Sequence, residues 1–245
     1  MANIAIIPAR SGSTRIPHKN IKPFRGVPML ERTIECLRQS SYIDRIIVST
    51  DSEEYAHLAM RKKAEIPFMR TSDLSNNSVS TIDVIIDSIT RLDLKNEDNI
   101  VCVYATNPLL DFRILDLGLF LLNKSIDPSY VTPVVKYGFP PQRSLKLLNG
   151  GSAIMRNREY MYAHSQDLEH WYNENAQFWW AKKSTWISRL GMQESITPII
   201  VNENMQQDID NIDDWYLAEA KFDLRVGNSN LWEKYVDEII IKYSS

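Results

Sequence analysis

Cysteine is scarce in this 245-residue chain, which carries only Cys36 and Cys102. They lie far apart in apolar, periodic segments without ligand spacing. That excludes a disulfide framework and a cysteine-based zinc site, and it leaves two buried, reduced thiols as the expectation. Glycine is also sparse, at eight residues, and neither GxxxxGK[ST] nor GxGxxG occurs, so the two most familiar glycine-rich phosphate loops are absent. No apolar run approaches the length of about eighteen residues that a membrane span requires. A strand pattern begins at residue 3, so no signal peptide is expected and a cytoplasmic location is the default. The net charge of -3 offers no broad basic face, and nucleic-acid binding is therefore not expected. Neither an internal repeat nor a low-complexity linker is present, and a hydrophobic content of 44% suffices for a full core. The chain is expected to form a single domain over 1–245.

One further absence is local. Between Arg10 and Arg25 there is no acidic residue, yet six basic groups fall there: Arg10, Arg15, His18, Lys19, Lys22 and Arg25. A local positive site on a mildly acidic body suits a compact anion. The stretch follows Ile4, Ile6 and Ile7, a short apolar strand stopped by Pro8, at the kind of strand end where open α/β sheets bind ligands.

Strand patterns are expected at 3–8, 45–50, 66–69, 99–105, 176–182 and 196–201. Helical patterns are expected near 28–39, 52–63, 79–93 and 111–123, then from Asn211 to Asp223, with a last amphipathic pattern at Leu231, Tyr235 and Ile239. Asp51 and Asp111 stand where helix N-caps are wanted. Such alternation predicts a mostly parallel sheet with helices on both faces, a three-layer α/β/α architecture. From about Tyr137 the rhythm fails, and an aromatic-rich excursion runs over 137–175.

Within the basic loop, Gly12 permits close backbone approach, Ser13 and Thr14 supply hydroxyl and backbone donors, and Arg10 and Lys19 can neutralise a polyphosphate from two sides. Asn20 can bond a ribose or base. Near the other end, Asp208 and Asp210 stand two apart after a segment compatible with a strand. On a strand their carboxylates share one face about 7 Å apart, which suits oxygen ligation of Mg²⁺. Their place before the IDDWYLAEA helix equally suits helix capping by Asp210, with Asp213 and Asp214 as first-turn acids.

The segment IIPARSGSTRIPHKNIKPFRGVPML resembles the N-terminal signature of the CMP-sialic acid synthetase family of cytidylyltransferases. This resemblance implies a Rossmann-like nucleotide-diphospho-sugar transferase fold with an inserted dimerisation arm, and a PAR..GS......KN loop that wraps the phosphates of CTP. Carried over position by position, Ala9, Arg10, Ser11, Gly12, Ser13, Arg15, Lys19 and Asn20 are the nucleotide-loop residues, and Arg10 and Lys19 are also catalytic. PFMRTSDLS with Ser80 and Thr81 resembles the cytidine-contacting region, giving Arg70 and Thr81 nucleotide roles. QQDIDNIDDW resembles the family's QDIDTxxD motif, which points to Asp208 and Asp210 as catalytic ligands of Mg²⁺; Asn211 replaces the family's Thr.

CVYATNPLL departs from the QPTSPL-like turn of sialic acid synthetases. YATNP, FPPQRSLKL, SQDLE and AQFWWAK occur in the order found in the family's pseudaminic acid branch. The sugar-side candidates are Tyr104, Gln142, Arg143, Gln177 and Phe178, with interface packing as the alternative for the aromatic excursion. The resemblance implies a homodimer that transfers CMP from CTP to a nine-carbon 2-keto sugar acid, by in-line attack of the anomeric hydroxyl on the α-phosphorus with release of pyrophosphate. Sialate or legionaminate as the acid, and a non-catalytic nucleotide-binding protein on the same fold, are the other readings.

Overall fold

A computed structural model describes residues 1–76, 78–125, 130–188 and 196–244. β1 (Asn3–Pro8) runs into the basic loop, and the two short strands β2 (Pro23–Phe24) and β3 (Val27–Pro28) form a ribbon that feeds α1 (Met29–Leu37). β4 (Arg45–Ser49), α2 (Glu53–Arg61), α3 (Thr81–Arg91), β5 (Asn99–Val103) and α4 (Phe112–Lys124) continue the alternation. Then come β6 (Tyr130–Lys136), the hairpin of β7 (Leu145–Leu147) and β8 (Ala153–Met155), and β9 (Tyr172–Glu174). β10 (Phe178–Lys182), α5 (Lys183–Ser188), β11 (Ile196–Ile200), α6 (Ile212–Gly227) and α7 (Ser229–Ser244) complete the chain. Among the described residues, no helix is long and apolar enough to cross a membrane.

The sheet order is β11-β6-β10-β5-β1-β4, with β9 added beside β6. β4, β1 and β5 are mutually parallel, as are β6 and β11, whereas β10 opposes both β5 and β6 and β9 opposes β6. The sheet is thus mixed and mostly parallel. Alternating residues sort onto two faces. Ala5, Ile7, Val48, Val101 and Val103 pack with α1, α2, α4 and α7, while Ile4, Ile6, Ile47, Ile100 and Cys102 pack with α3 and α5.

Some expectations change. Residues 66–69 form no strand: only Glu65 makes an isolated bridge, to Ile47, before Pro67, which has no N–H to extend a ladder. No strand is expected at YVTPVVK, where β6 forms with Pro133 in its middle. The fold tolerates that proline where the neighbour of β6 changes from β10, opposite Val131, to β9, opposite Val134. Asp111 caps α4 by accepting the amide of Arg113 at 3.0 Å. Asp51 does not cap α2, since Ser52 does. Both cysteines are free thiols, and burial pushes Cys36 up to about 12 and Cys102 upward too. The aromatic-rich region divides by burial. Phe178, Trp179 and Trp180 lie in the central strand β10, covered on both faces, whereas Phe139, Leu147 and Tyr162 are 90%, 79% and 91% exposed.

Gly118 on α4 permits close helix-on-sheet approach, because a Cβ there would lie 2.8 Å from Cδ1 of Trp180 and 3.0 Å from Cε2 of Phe178. Both rings are buried and rigid. Gly118→Ala is therefore expected to destabilise by about 1–3 kcal/mol despite its better helix propensity. Urea denaturation would measure this, and an unchanged or higher midpoint would show that α4 can shift freely.

Candidate active site

At the carboxyl ends of β1, β4 and β5, a cavity of about 440 Å³ is lined by Arg10, Ser13, Thr14, Arg15, Lys19, Asn20, Arg70, Thr81, Tyr104 and Asp210. Three separate parts of the chain meet there.

The basic loop supplies the first wall, and β4 holds it in place. The Ala9 amide bonds Ser49 O at 2.9 Å, and Ser11 donates its amide and its hydroxyl to the Asp51 carboxylate at 2.8 and 2.9 Å. Asn20 closes the loop by donating Nδ2 to Arg10 O at 2.8 Å. That amide nitrogen therefore has a structural role. Ala9, Ser11 and Gly12 belong to the loop without lining the cavity.

The six basic groups do not all face inward. Arg10, Arg15 and Lys19 do, but Arg25 pairs with Asp223 at 2.5 Å, Lys22 lies 5.4 Å from the Trp215 ring centre, and His18 meets the Tyr55 hydroxyl. Arg70 joins the site instead. Its guanidinium is buried, donates Nε to Ser49 Oγ at 3.1 Å and bonds Ser49 O, and burial lowers its pKa.

The second wall comes from the start of α3 and the turn after β5. Burial pushes the Tyr104 hydroxyl pKa upward, and its hydrogen bond with Thr81 opposes that shift. It stays protonated and can donate a hydrogen bond to a ligand. Leu74, Asn76, Val79 and Thr106 also line the cavity without having been expected. The Ser/Asn-rich run SDLSNNSVS and the position of Thr106 after β5 were the signals available in the sequence.

The third wall is the segment after β11, which is a loop and not the strand expected at the acidic pair. Ile209 between the two acids is fully buried and packs in a small cluster with Ile16 of the basic loop, Phe24, Met29 and Trp215. Burying one such side chain contributes about 1.5–3 kcal/mol, and it draws the two ends of the chain together. Lys19 Nζ donates to Ile209 O at 2.5 Å across 190 positions. Arg15 Nη2 pairs with Asp210 Oδ1 at 2.7 Å. Asp210 does not cap α6; Asn211 does, with Asp214 completing a capping box, which leaves the Asp210 carboxylate facing the cavity.

Asp208 is exposed and does not line the cavity; it lies near enough to Lys19 to interact with its charge. Desolvation by the loop behind it and the like charge of Asp210 raise its pKa, while Lys19 opposes the rise. Burial lowers the Lys19 pKa and the two aspartates oppose that shift. Among the described residues no three His, Cys, Asp or Glu side chains could hold a metal ion. Two carboxylates offering hard oxygen donors fit a cation such as Mg²⁺, provided most of its ligands come from phosphate and water.

Most of the sugar-side candidates lie away from this cavity. Phe178 is fully buried in β10, where both sheet faces are covered. Gln177 Nε2 is bonded to Met205 O at 2.7 Å, so it braces the acidic loop. Gln142 is buried inside the excursion, donating to Glu169 O at 2.9 Å, and Arg143 is exposed there, bonding Ser165 Oγ at 3.0 Å. Of the five, Tyr104 alone lines the cavity.

The sequence profile of the family described as cytidylyltransferase matches residues 4–209, spanning all three walls. The chain is 31% identical over 227 residues to a pseudaminic acid cytidylyltransferase of Campylobacter jejuni subsp. jejuni serotype O:2, covering 91% of this chain and 97% of that one. It is 34% identical over 174 residues to a Helicobacter pylori protein described as pseudaminic acid cytidylyltransferase and UDP-2,4-diacetamido-2,4,6-trideoxy-beta-L-altropyranose hydrolase. That match covers 71% of this chain and 33% of the relative. Its fold is similar to a solved CMP:2-keto-3-deoxy-manno-octonic acid synthetase complexed with CTP, with a TM-score of 0.66 and 14% identity over 90% of this chain and 98% of the other.

Proposed function

Because this chain belongs to the cytidylyltransferase family, we propose that it makes CMP-pseudaminic acid and pyrophosphate from CTP and pseudaminic acid. The observation that carries the reading is the convergence of Arg10, Arg15, Lys19 and Arg70 with Asp210 around one cavity, with Asp208 near Lys19.

Four cations gathered at one cavity suit a polyphosphate, and the carboxylates among them would hold a divalent cation. The anomeric hydroxyl attacks the α-phosphorus in line and pyrophosphate departs. Such chemistry relies on positioning and charge neutralisation more than on covalent work by the protein. Arg10 and Lys19 face the negative charge that accumulates on the departing pyrophosphate. Asp208 and Asp210 are the residues that would hold Mg²⁺, which when bound neutralises phosphate oxygens and acts as a Lewis acid. Arg15, already paired with Asp210, fixes where that carboxylate sits at the cavity wall. The protonated Tyr104 hydroxyl and Thr81 offer polar contacts on the opposite wall.

The excursion over 137–175 is the proposed dimer contact. Its exposed Phe139, Leu147 and Tyr162 support this reading, since apolar surface of that kind calls for a partner. A cytoplasmic site of action follows from the use of CTP.

The test is pyrophosphate release with each of the four nucleoside triphosphates against a panel of nine-carbon 2-keto acids, with and without Mg²⁺. Release is expected with CTP and pseudaminic acid, and to depend on Mg²⁺. No release with CTP and any acid of the panel would refute the enzymatic reading. Preference for a sialic or legionaminic acid would move the chain to another branch.

A further inference from the structure

The loop that carries the two aspartates is braced from behind by Lys221 of α6. Its Nζ donates to Glu203 O at 3.0 Å, to Gln206 O at 2.8 Å and to Gln207 Oε1 at 3.1 Å. An ammonium group has three protons, and here all three go to uncharged oxygens of one short segment. Burial lowers the Lys221 pKa, with Glu203 the opposing charge. A half-buried ammonium bonded mainly to peptide carbonyls is a costly choice for a side chain that could reach solvent, and it makes sense where the geometry of the segment matters.

The bracing continues toward the acids. Gln207 accepts from Lys221 through Oε1 and donates through Nε2 to Asp208 O at 3.0 Å. One amide thus links the ammonium to the peptide of Asp208. On the other side Lys19 holds Ile209 O at 2.5 Å. The backbone from Gln206 to Ile209 is gripped from two directions, and Asp208 stands between the grips.

We propose that Lys221, acting through Gln207, is a positioning residue for Asp208 and Asp210. It touches neither the cavity nor the carboxylates; it sets the backbone from which they project. This rests on the function proposed above, because only a reaction that needs both carboxylates in register would respond to their displacement. A shift of about 1 Å in a reacting group can cost on the order of 10²-fold in rate.

The test compares Lys221→Met, Lys221→Arg and Gln207→Leu with the wild-type protein by two measurements. The first is hydrogen exchange of the 203–210 amides in ligand-free protein. About tenfold faster exchange there is expected in Lys221→Met and Gln207→Leu, with the strands of the sheet unchanged. The second is pyrophosphate release as a function of Mg²⁺ concentration. A several-fold higher half-saturating Mg²⁺ and about tenfold lower kcat are expected in both variants, with Lys221→Arg recovering part of each and KM for CTP little changed. Unchanged exchange in the segment overturns the brace, as does loosened exchange together with wild-type kcat and Mg²⁺ dependence. If the wild-type protein itself releases no pyrophosphate from CTP, the functional reading fails on its own, and the exchange data still decide whether Lys221 holds the loop.

Discussion

Asp210→Asn is expected to lower CTP-dependent pyrophosphate release by about 10²–10³-fold, the scale of loss when one group stabilising developing charge is removed, here through the cation that Asp210 would help hold, while leaving the protein folded. Its pair with Arg15 joins side chains that are 64% and 47% exposed, and such pairs contribute little to stability. The α6 cap does not need the Asp210 carboxylate, because Asn211 and Asp214 make it. The asparagine keeps the shape and loses the charge that the proposed chemistry requires. Asp213→Asn, which changes an exposed acid three positions on, is the control and should leave turnover near the wild-type value. Melting temperature and steady-state kinetics on the same preparations separate folding from chemistry. Near wild-type turnover in folded Asp210→Asn would remove the carboxylate from the reaction.

Asp111→Ala should destabilise the protein by about 3 kcal/mol, the lower end of the range for breaking a buried ion pair. Asp111 is 4% exposed and accepts from the Arg113 amide at 3.0 Å, from Arg113 Nη2 at 2.9 Å, from Trp232 Nε1 at 2.8 Å and from Arg225 Nη2 at 3.4 Å. One carboxylate therefore caps α4 and ties it to α6 and α7. The lower end applies because Arg113 and Arg225 are partly exposed and can return to water. Burial alone would raise this carboxyl, yet the bonds from Arg113 and Trp232 hold it below the ordinary carboxylate range. A depressed folded value means that the stabilisation is complete above the unfolded value of about 3.9 and is lost as pH falls through the lower folded one. The gap between wild-type and Asp111→Asn urea midpoints should accordingly be widest near neutral pH and narrow on acidification. A gap that does not change with pH would show that the charge is not what Asp111 contributes.

Legibility in the sequence followed physical locality. The period of the apolar residues placed α1 to α4, α6 and α7, because a helix face or strand face is encoded within a few residues of itself. No strand is expected where β6 forms, and its place depends on which neighbours its backbone meets. The aromatic residues likewise divide. Trp179 and Trp180, in the strand expected at 176–182, are core because β10 lies inside the sheet, while Tyr162 sits exposed on the excursion; the strand pattern is local, but its central place in the sheet is not. Gln142, Gln177 and Phe178 illustrate the same limit for a site. Their residue types suit a ligand, and the packing around them engages them elsewhere.

The sequence by itself determined the α/β alternation, the acid-free basic loop after β1 and the presence of two spaced aspartates far downstream, since each is a property of contiguous residues. Only the tertiary structure decided that these belong to one site. Burial of Ile209 against Ile16 and the hydrogen bond from Lys19 to the Ile209 carbonyl bring the loop and the acids together across most of the chain. It also decided which charges face the cavity, admitting Arg70 and turning Arg25 and Lys22 away, because a charged side chain takes the nearest partner that the completed fold offers.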